Sequence, residues 1–158
     1  MSITHTPLRS EDGQAMVEFA LVLPLLMLLL VGMLHFGKAF NYWNDATHLS
    51  AEAARFAAVN RKPDPGSALS LQAQIRNQAD TAELRNGGTA SVPSPAQVCI
   101  DFPSTTSKVG DPVRVRMTFT YAWLPLIGNR IGVAQTPVSA TTVMRLEAPP
   151  TAYSAGCA

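Results

Sequence analysis

Three kinds of side chain in this 158-residue chain could do chemistry: a carboxylate at the rim of an apolar run, three histidines and two cysteines. Glu18 stands directly before residues 19–37, FALVLPLLMLLLVGMLHFG, which hold no Lys, Arg, Asp or Glu. A carboxylate beside such a segment is costly to place in lipid and is therefore a candidate functional group. Its plainer role is that of a first-turn residue, where negative charge meets the positive end of the helix dipole. His5, His35 and His48 fall in three separate segments, so without contacts between subunits they do not converge on a metal, and no metal or cofactor is expected. Cys99 and Cys157 suit a disulfide that pins the C-terminal tail to a sheet in an oxidising compartment. Their spacing alone does not exclude two unrelated thiols. The sequence has no Gly-rich phosphate loop, no paired-Cys motif and no G-x-S-x-G, and the carboxylates are scattered, so neither enzymatic activity nor a small-molecule substrate is expected. Charged residues are 15% of the chain and the formal net charge is +1, which gives no basic field for nucleic acid.

The elements that position these residues follow from periodicity. Residues 19–37, wound as a helix, reach roughly 28 Å, the thickness of a bilayer core, and a single membrane span is expected. A buried core helix is the weaker alternative, because so small a domain cannot wrap a helix that is apolar on every side. Pro24 removes a backbone donor and should kink the span near its start. Gly37-Lys38-Ala39 imitates a secretory cleavage site, but the apolar core is too long and Arg9 is outweighed by Glu11, Asp12 and Glu18. Helical character continues through NYWNDATHLSAEAARFAAVNRKP to Arg61-Lys62-Pro63, which implies one helix of about forty-five residues. Ala46, Ser50, Ala54 and Ala57 share one face, which reads either as a packing stripe or as ordinary helix-forming alanine. Tyr42 and Trp43 sit where an interfacial aromatic belt belongs.

After the linker KPDPG, a second helix is expected over SALSLQAQIRNQADTAELRNGG, with Leu71, Ile75, Ala79 and Ala82 at helical spacing and a stop at Asn86-Gly87-Gly88. The period then changes to two. Val113, Val115, Met117, Phe119, Tyr121 and Trp123 alternate with Arg114, Arg116, Thr118, Thr120 and Ala122. Val98, Ile100 and Phe102, and later Val138, Ala140, Thr142, Met144 and Leu146, behave likewise. The expected fold class is therefore α+β: a long N-terminal helix, a second helix, and a three-stranded antiparallel sheet with one buried face. The apolar connection LPLIGNRIGVA, residues 124–134, is read as packing under this head rather than as a contact site for a partner.

The run Gly13-Gln14-Ala15-Met16-Val17-Glu18-Phe19 resembles a prepilin processing site, glycine, four residues, then Glu-Phe. More specifically, QAMVEFALVLPLLMLLLVGMLHFGKAFNYWNDATHLSAEAARFAAV, residues 14–59, resembles the TadE-like family of minor pseudopilins from the tight-adherence (Tad) pilus system, with looser likeness over the strands that follow. The resemblance implies a pilin-like fold and a non-catalytic structural role in a Tad-type pilus or secretion assembly. A prepilin peptidase is expected to cut after Gly13 on the cytoplasmic side, leaving Gln14 as the new N-terminus. Glu18 and Phe19 then serve assembly with other pilin or pseudopilin subunits and with the Tad inner-membrane platform. In that arrangement the Glu18 carboxylate pairs with the freed Gln14 amine of a neighbouring subunit, offsetting the burial of both charges.

The implied organisation is a leader over 1–13, a transmembrane helix over 14–38, a soluble helical half over 39–62 and an α+β periplasmic head over 63–158. The chain would cross the bacterial inner membrane once, with entry into an extracellular pilus as a further step. The leader departs from the usual pattern, since Ser10-Glu11-Asp12 precede Gly13. One basic residue lies before the span against Lys38, Arg55, Arg61 and Lys62 after it, so the charge rule opposes the N-inside orientation that the resemblance implies. Two alternatives remain: an uncleaved single-pass anchor carrying a periplasmic binding module, and a small secreted enzyme released by signal peptidase. The mature N-terminus separates them, being Gln14 for the pseudopilin, Met1 or Ser2 for the anchor, and Phe40 for the secreted form.

Overall fold

The computed structural model describes residues 10–104, 107–124 and 135–158. The chain divides into two compact units, Met1–Gly37 and Lys38–Ala158. One helix, α1 (Ser10–Ala58), begins in the first and ends in the second.

In the first unit every described side chain from Gly13 onward is exposed except His35, which is half-buried. The helix is apolar on all sides and its side chains are otherwise exposed, a composition that suits lipid better than water. Its most apolar stretch has a mean hydropathy of 2.5 and none of it is buried, so α1 is long and apolar enough to cross a membrane. Pro24 lies inside this helix. The helix starts at Ser10, before the expected processing point, and runs on through Gly13. The earlier part of the leader, with His5, lies outside the described residues.

The second unit is built on the other end of α1. Ala46, Ser50, Ala54 and Ala57 are each at most 1% exposed, so the small-residue stripe is a packing face and not mere propensity. Small side chains let the helix approach a sheet closely. The Ser50 and Thr142 hydroxyls meet at 2.9 Å, and the Tyr42 ring stands edge-on to Phe119 at 6.2 Å. The helix stops at Ala58 through backbone geometry. Asn60 is left-handed at φ 52°, its N–H donates to the Ala57 carbonyl, and the Arg61 N–H reaches back to Phe56. This is a Schellman closure with asparagine in the position usually held by glycine. The Ala58 carbonyl accepts from Glu147 and Ala148.

Three expected strands are present as β1 (Gln97–Asp101), β2 (Pro112–Ala122) and β3 (Gln135–Arg145). The period-two pattern holds in β2, where Val113, Val115, Met117, Phe119 and Tyr121 are buried and the intervening residues are not. The expectation of three strands is corrected by β4 (Gly156–Cys157), which makes a four-stranded antiparallel sheet in the order β3-β2-β1-β4. Two residues cannot display alternation, so β4 carried no periodic signal.

The expected second helix is also corrected, because it is two short ones, α2 (Leu71–Asn77) and α3 (Ala82–Asn86). The break is tertiary. The buried Asp45 carboxylate, on α1, accepts from the backbone N–H groups of Asp80 and Thr81 at 3.1 and 3.4 Å. The Arg85 guanidinium donates to the Ala79 carbonyl. These bonds replace the helical ladder across residues 78–81. Gly87 ends α3 at φ 64°, where an added Cβ would lie 2.4 Å from the Ser94 carbonyl carbon, so both conformation and space demand glycine. The apolar connection over 124–134 lies outside the described residues beyond Leu124.

Candidate assembly and anchoring sites

Gly13, Gln14, Glu18 and Phe19, the residues expected to serve processing and assembly, lie together on α1 in the first unit, all exposed. Helical spacing stacks positions four apart, and the Gln14 side-chain amide donates to Glu18 Oε1 at 3.2 Å. The Glu18 carboxylate thus meets a donor from position 14 of its own helix. Phe19 is 63% exposed. An added Cβ at Gly13 would meet nothing within 4 Å, so glycine there answers no packing demand among the described residues. What this arrangement offers is a carboxylate and an aromatic ring projecting from the end of an apolar helix, both open to another molecule.

Cys99 and Cys157 lie in the second unit and form a disulfide that closes β4 onto β1. Beside it, Val98 and Ala158 exchange two backbone hydrogen bonds of 3.0 Å. The tail leading to β4 is held along its length. Asn60 binds Thr151 and Ala152, the Tyr153 hydroxyl donates to the Ala57 carbonyl at 2.9 Å, and the Gln72 amide donates to Ser154 and Gly156 carbonyls. Burial pushes the Tyr153 hydroxyl pKa up to about 12, because a phenolate there would lose water without gaining a cation.

Asp45, Asn60, Gln72, Gln74 and Tyr153 therefore position the head, and sequence reasoning singled out none of them. Gln74 is buried and bonds the Asp64 backbone N–H and the Asp64 and Leu69 carbonyls, which fixes the linker. Only Asn60 carried a legible signal, an asparagine just past the helical pattern. Tyr42 is raised in pKa, first by burial and then by the nearby Glu83 carboxylate.

Open concavities lie along α1 in this unit. One of about 610 Å³ is lined by His48, Glu52, Arg55, Phe56, Val59 and Arg61; a smaller one of about 290 Å³ includes Asn41, Asp45, His48 and Asp80. His48 borders both, but neither contains a nucleophile aligned with a base, and Asp45 is committed to the α3 backbone. Among the described residues no group of three or more His, Cys, Asp or Glu is placed to hold a metal ion. On the outer face of the sheet Arg114 and Asp101 form a two-pronged ion pair, and the carboxylate raises the guanidinium pKa further.

The first unit thus offers an exposed apolar helix with a carboxylate near its start and the second a disulfide-closed head. No curated protein and no solved structure matches the chain. Residues 13–55, from Gly13 through the apolar stretch and most of the packed stripe, match the family model described as TadE-like protein, the family that the sequence resembles.

Proposed function

We propose that this chain is a minor pseudopilin-like, non-catalytic component of a Tad-type pilus or secretion assembly. It is anchored by α1 in the bacterial inner membrane with its head in the periplasm, and is processed by prepilin peptidase after Gly13. The observation that carries this reading is the placement of glycine-x4-Glu-Phe at the start of an exposed apolar helix, within the segment matched by the TadE-like model. A disulfide in the head suits an oxidising compartment. An exposed Glu18 at the edge of the span suits charge pairing with a neighbour's freed amine, since each charge lowers the burial cost of the other. The partners are the peptidase, other pilin or pseudopilin subunits and the inner-membrane platform.

The test is the mass of the protein purified from its native membrane. An N-terminus at Gln14 supports the pseudopilin; Met1 or Ser2 overturns processing and favours an uncleaved anchor carrying a periplasmic binding module. One feature favours that second reading: α1 runs unbroken through Gly13 from Ser10, and a protease requires its scissile bond unwound.

A further inference from the structure

The sheet has two edges of unlike character. On one side β4 spans two residues and covers β1; on the other, β3 is an edge strand of eleven residues. The direction of its backbone groups follows from the pairing. Val98 exchanges both bonds with Ala158, so by alternation Cys99 faces β2 and pairs with Arg116. Arg116 is then turned toward β1, and its neighbours Val115 and Met117 are turned toward Thr142 and Ala140 of β3. Hence Pro137, Ser139, Thr141, Val143 and Arg145 point their main-chain groups away from the sheet. Both strand prolines agree, since Pro112 and Pro137 fall where no N–H is needed between β2 and β3. Among the described residues nothing bonds the outward N–H groups of Ser139, Thr141, Val143 and Arg145.

Long edges of this kind are normally blunted by charge, bulges or repeated proline. From Thr136 to Met144 β3 has no charged residue and only Pro137, and Val143 is 54% exposed. Beside this edge, on the outer face, Arg116 lies opposite Thr141 and Arg145 ends the strand. Arg114 is occupied by Asp101, whereas Arg116 and Arg145 have no ion pair among the described residues.

We propose that the outer edge of β3 receives an extended acidic segment of a partner protein as an added strand, paired through Ser139, Thr141 and Val143 and drawn by Arg116 and Arg145. Main-chain bonds supply affinity and the two guanidinium groups supply selectivity for carboxylates on the outer-face positions of the incoming strand. A second copy of this chain matches the hydrogen-bonding pattern but not the anchor. Antiparallel self-pairing about Thr141 sets Ser139 against Val143 and Pro137 against Arg145 through a two-fold axis normal to the sheet. That axis reverses the part of α1 lying along the sheet, which contacts it from Tyr42 to Ser50, so the Lys38 ends of the two copies' helices would point in opposite directions. The choice of a partner over a second copy rests on the single-pass anchor proposed above.

The test uses isotope-labelled full-length protein in detergent micelles and a short synthetic strand peptide of alternating Thr and Val with Glu at two outer-face positions. Its controls are the same peptide with Lys for Glu, and with alternate amides N-methylated. The expected result is slowed amide exchange at Ser139, Thr141 and Val143 with the Glu peptide, affinity about tenfold weaker for the Lys peptide, and none for the N-methylated one. Thr141→Pro should abolish binding without lowering the unfolding midpoint, since that N–H serves no bond within the sheet; Ser139→Pro repeats the test should the first variant unfold. Arg116→Glu with Arg145→Glu should reverse the preference toward the Lys peptide. Slow exchange at these amides in the peptide-free monomer would mean that the chain covers its own edge. Protection that grows with protein concentration would identify a second copy. Either result, or binding indifferent to Thr141→Pro, overturns the proposal. None of these readouts depends on where the N-terminus lies, so processing can fail while edge binding stands.

Discussion

Asn60 and Thr151 hold each other twice: the Asn60 amide donates to the Thr151 hydroxyl and its carbonyl accepts from the Thr151 N–H, both at 2.8 Å. The same carbonyl accepts from Ala152. Asn60 thus ends α1 in a left-handed conformation and fastens the tail that runs to the disulfide.

The two duties separate by substitution. Asn60→Gly keeps the left-handed turn but loses the clamp, and should destabilise the head by about 1 to 3 kcal/mol. Asn60→Ala loses both and should cost about 1 kcal/mol more. Urea unfolding of the two variants checks the order; equal midpoints would show that the turn carries no strain for a Cβ.

Loss of the bridge in Cys157→Ala should lower head stability by about 2 to 4 kcal/mol. Amide exchange should quicken first at Val98 and Ala158, whose reciprocal bonds lie beside it. Partition of the protein into membranes should not change. Unaltered exchange at those two amides would show that the Gln72 and Tyr153 contacts alone retain the tail.

Alkaline pH should weaken the head through Tyr153. Its pKa is raised from the ordinary 10.0 to about 12 by burial, so above pH 10 the unfolded chain loses its phenolic proton before the folded one does. Stability is fully present below pH 10 and declines as pH rises toward 12. Tyr42 and Tyr121 are shifted the same way by burial. Tyr153→Phe should flatten part of the decline seen in pH-dependent urea midpoints, at the cost of the bond to Ala57.

Processing and assembly should come apart at the membrane end. A bulky residue in place of Gly13 should leave the leader attached, whereas Glu18→Ala should give cleaved, inserted and folded protein that fails to co-purify with pilin partners. An unpaired buried charge costs on the order of 3 to 5 kcal/mol. Even part of that shifts a subunit contact more than tenfold, since about 1.4 kcal/mol is one decade. Wild-type co-purification after confirmed cleavage would return Glu18 to the role of a helix-start carboxylate.

What was legible in the sequence was whatever repeats. Alternation placed Val113 to Tyr121 on the buried face of β2, and the spacing of Ala46, Ser50, Ala54 and Ala57 gave the face that packs. The remainder depends on single contacts between distant residues. Asp45 divides the second helix by accepting from Asp80 and Thr81, a bond invisible to any local pattern. The pairing of β4 exists because Cys157 reaches Cys99, and cysteine spacing cannot distinguish that from two free thiols. The Glu-Phe motif was legible because it is local, but its meaning lies in other proteins.

The end of α1 is completed by groups far downstream. Thr151 is 91 residues beyond Asn60 and Tyr153 is 96 beyond Ala57. At about 5 to 20 residues per second of synthesis, that interval is roughly 5 to 20 seconds. If the chain threads outward as it is made, the helix enters the bilayer while its far terminus still lacks the tail that will close over it. Until β2 and β3 have followed, the stripe from Ala46 to Ala57 has no sheet to cover it, so the newborn chain carries an uncovered packing face. That face is covered before oxidation of Cys99 and Cys157 locks the finished head.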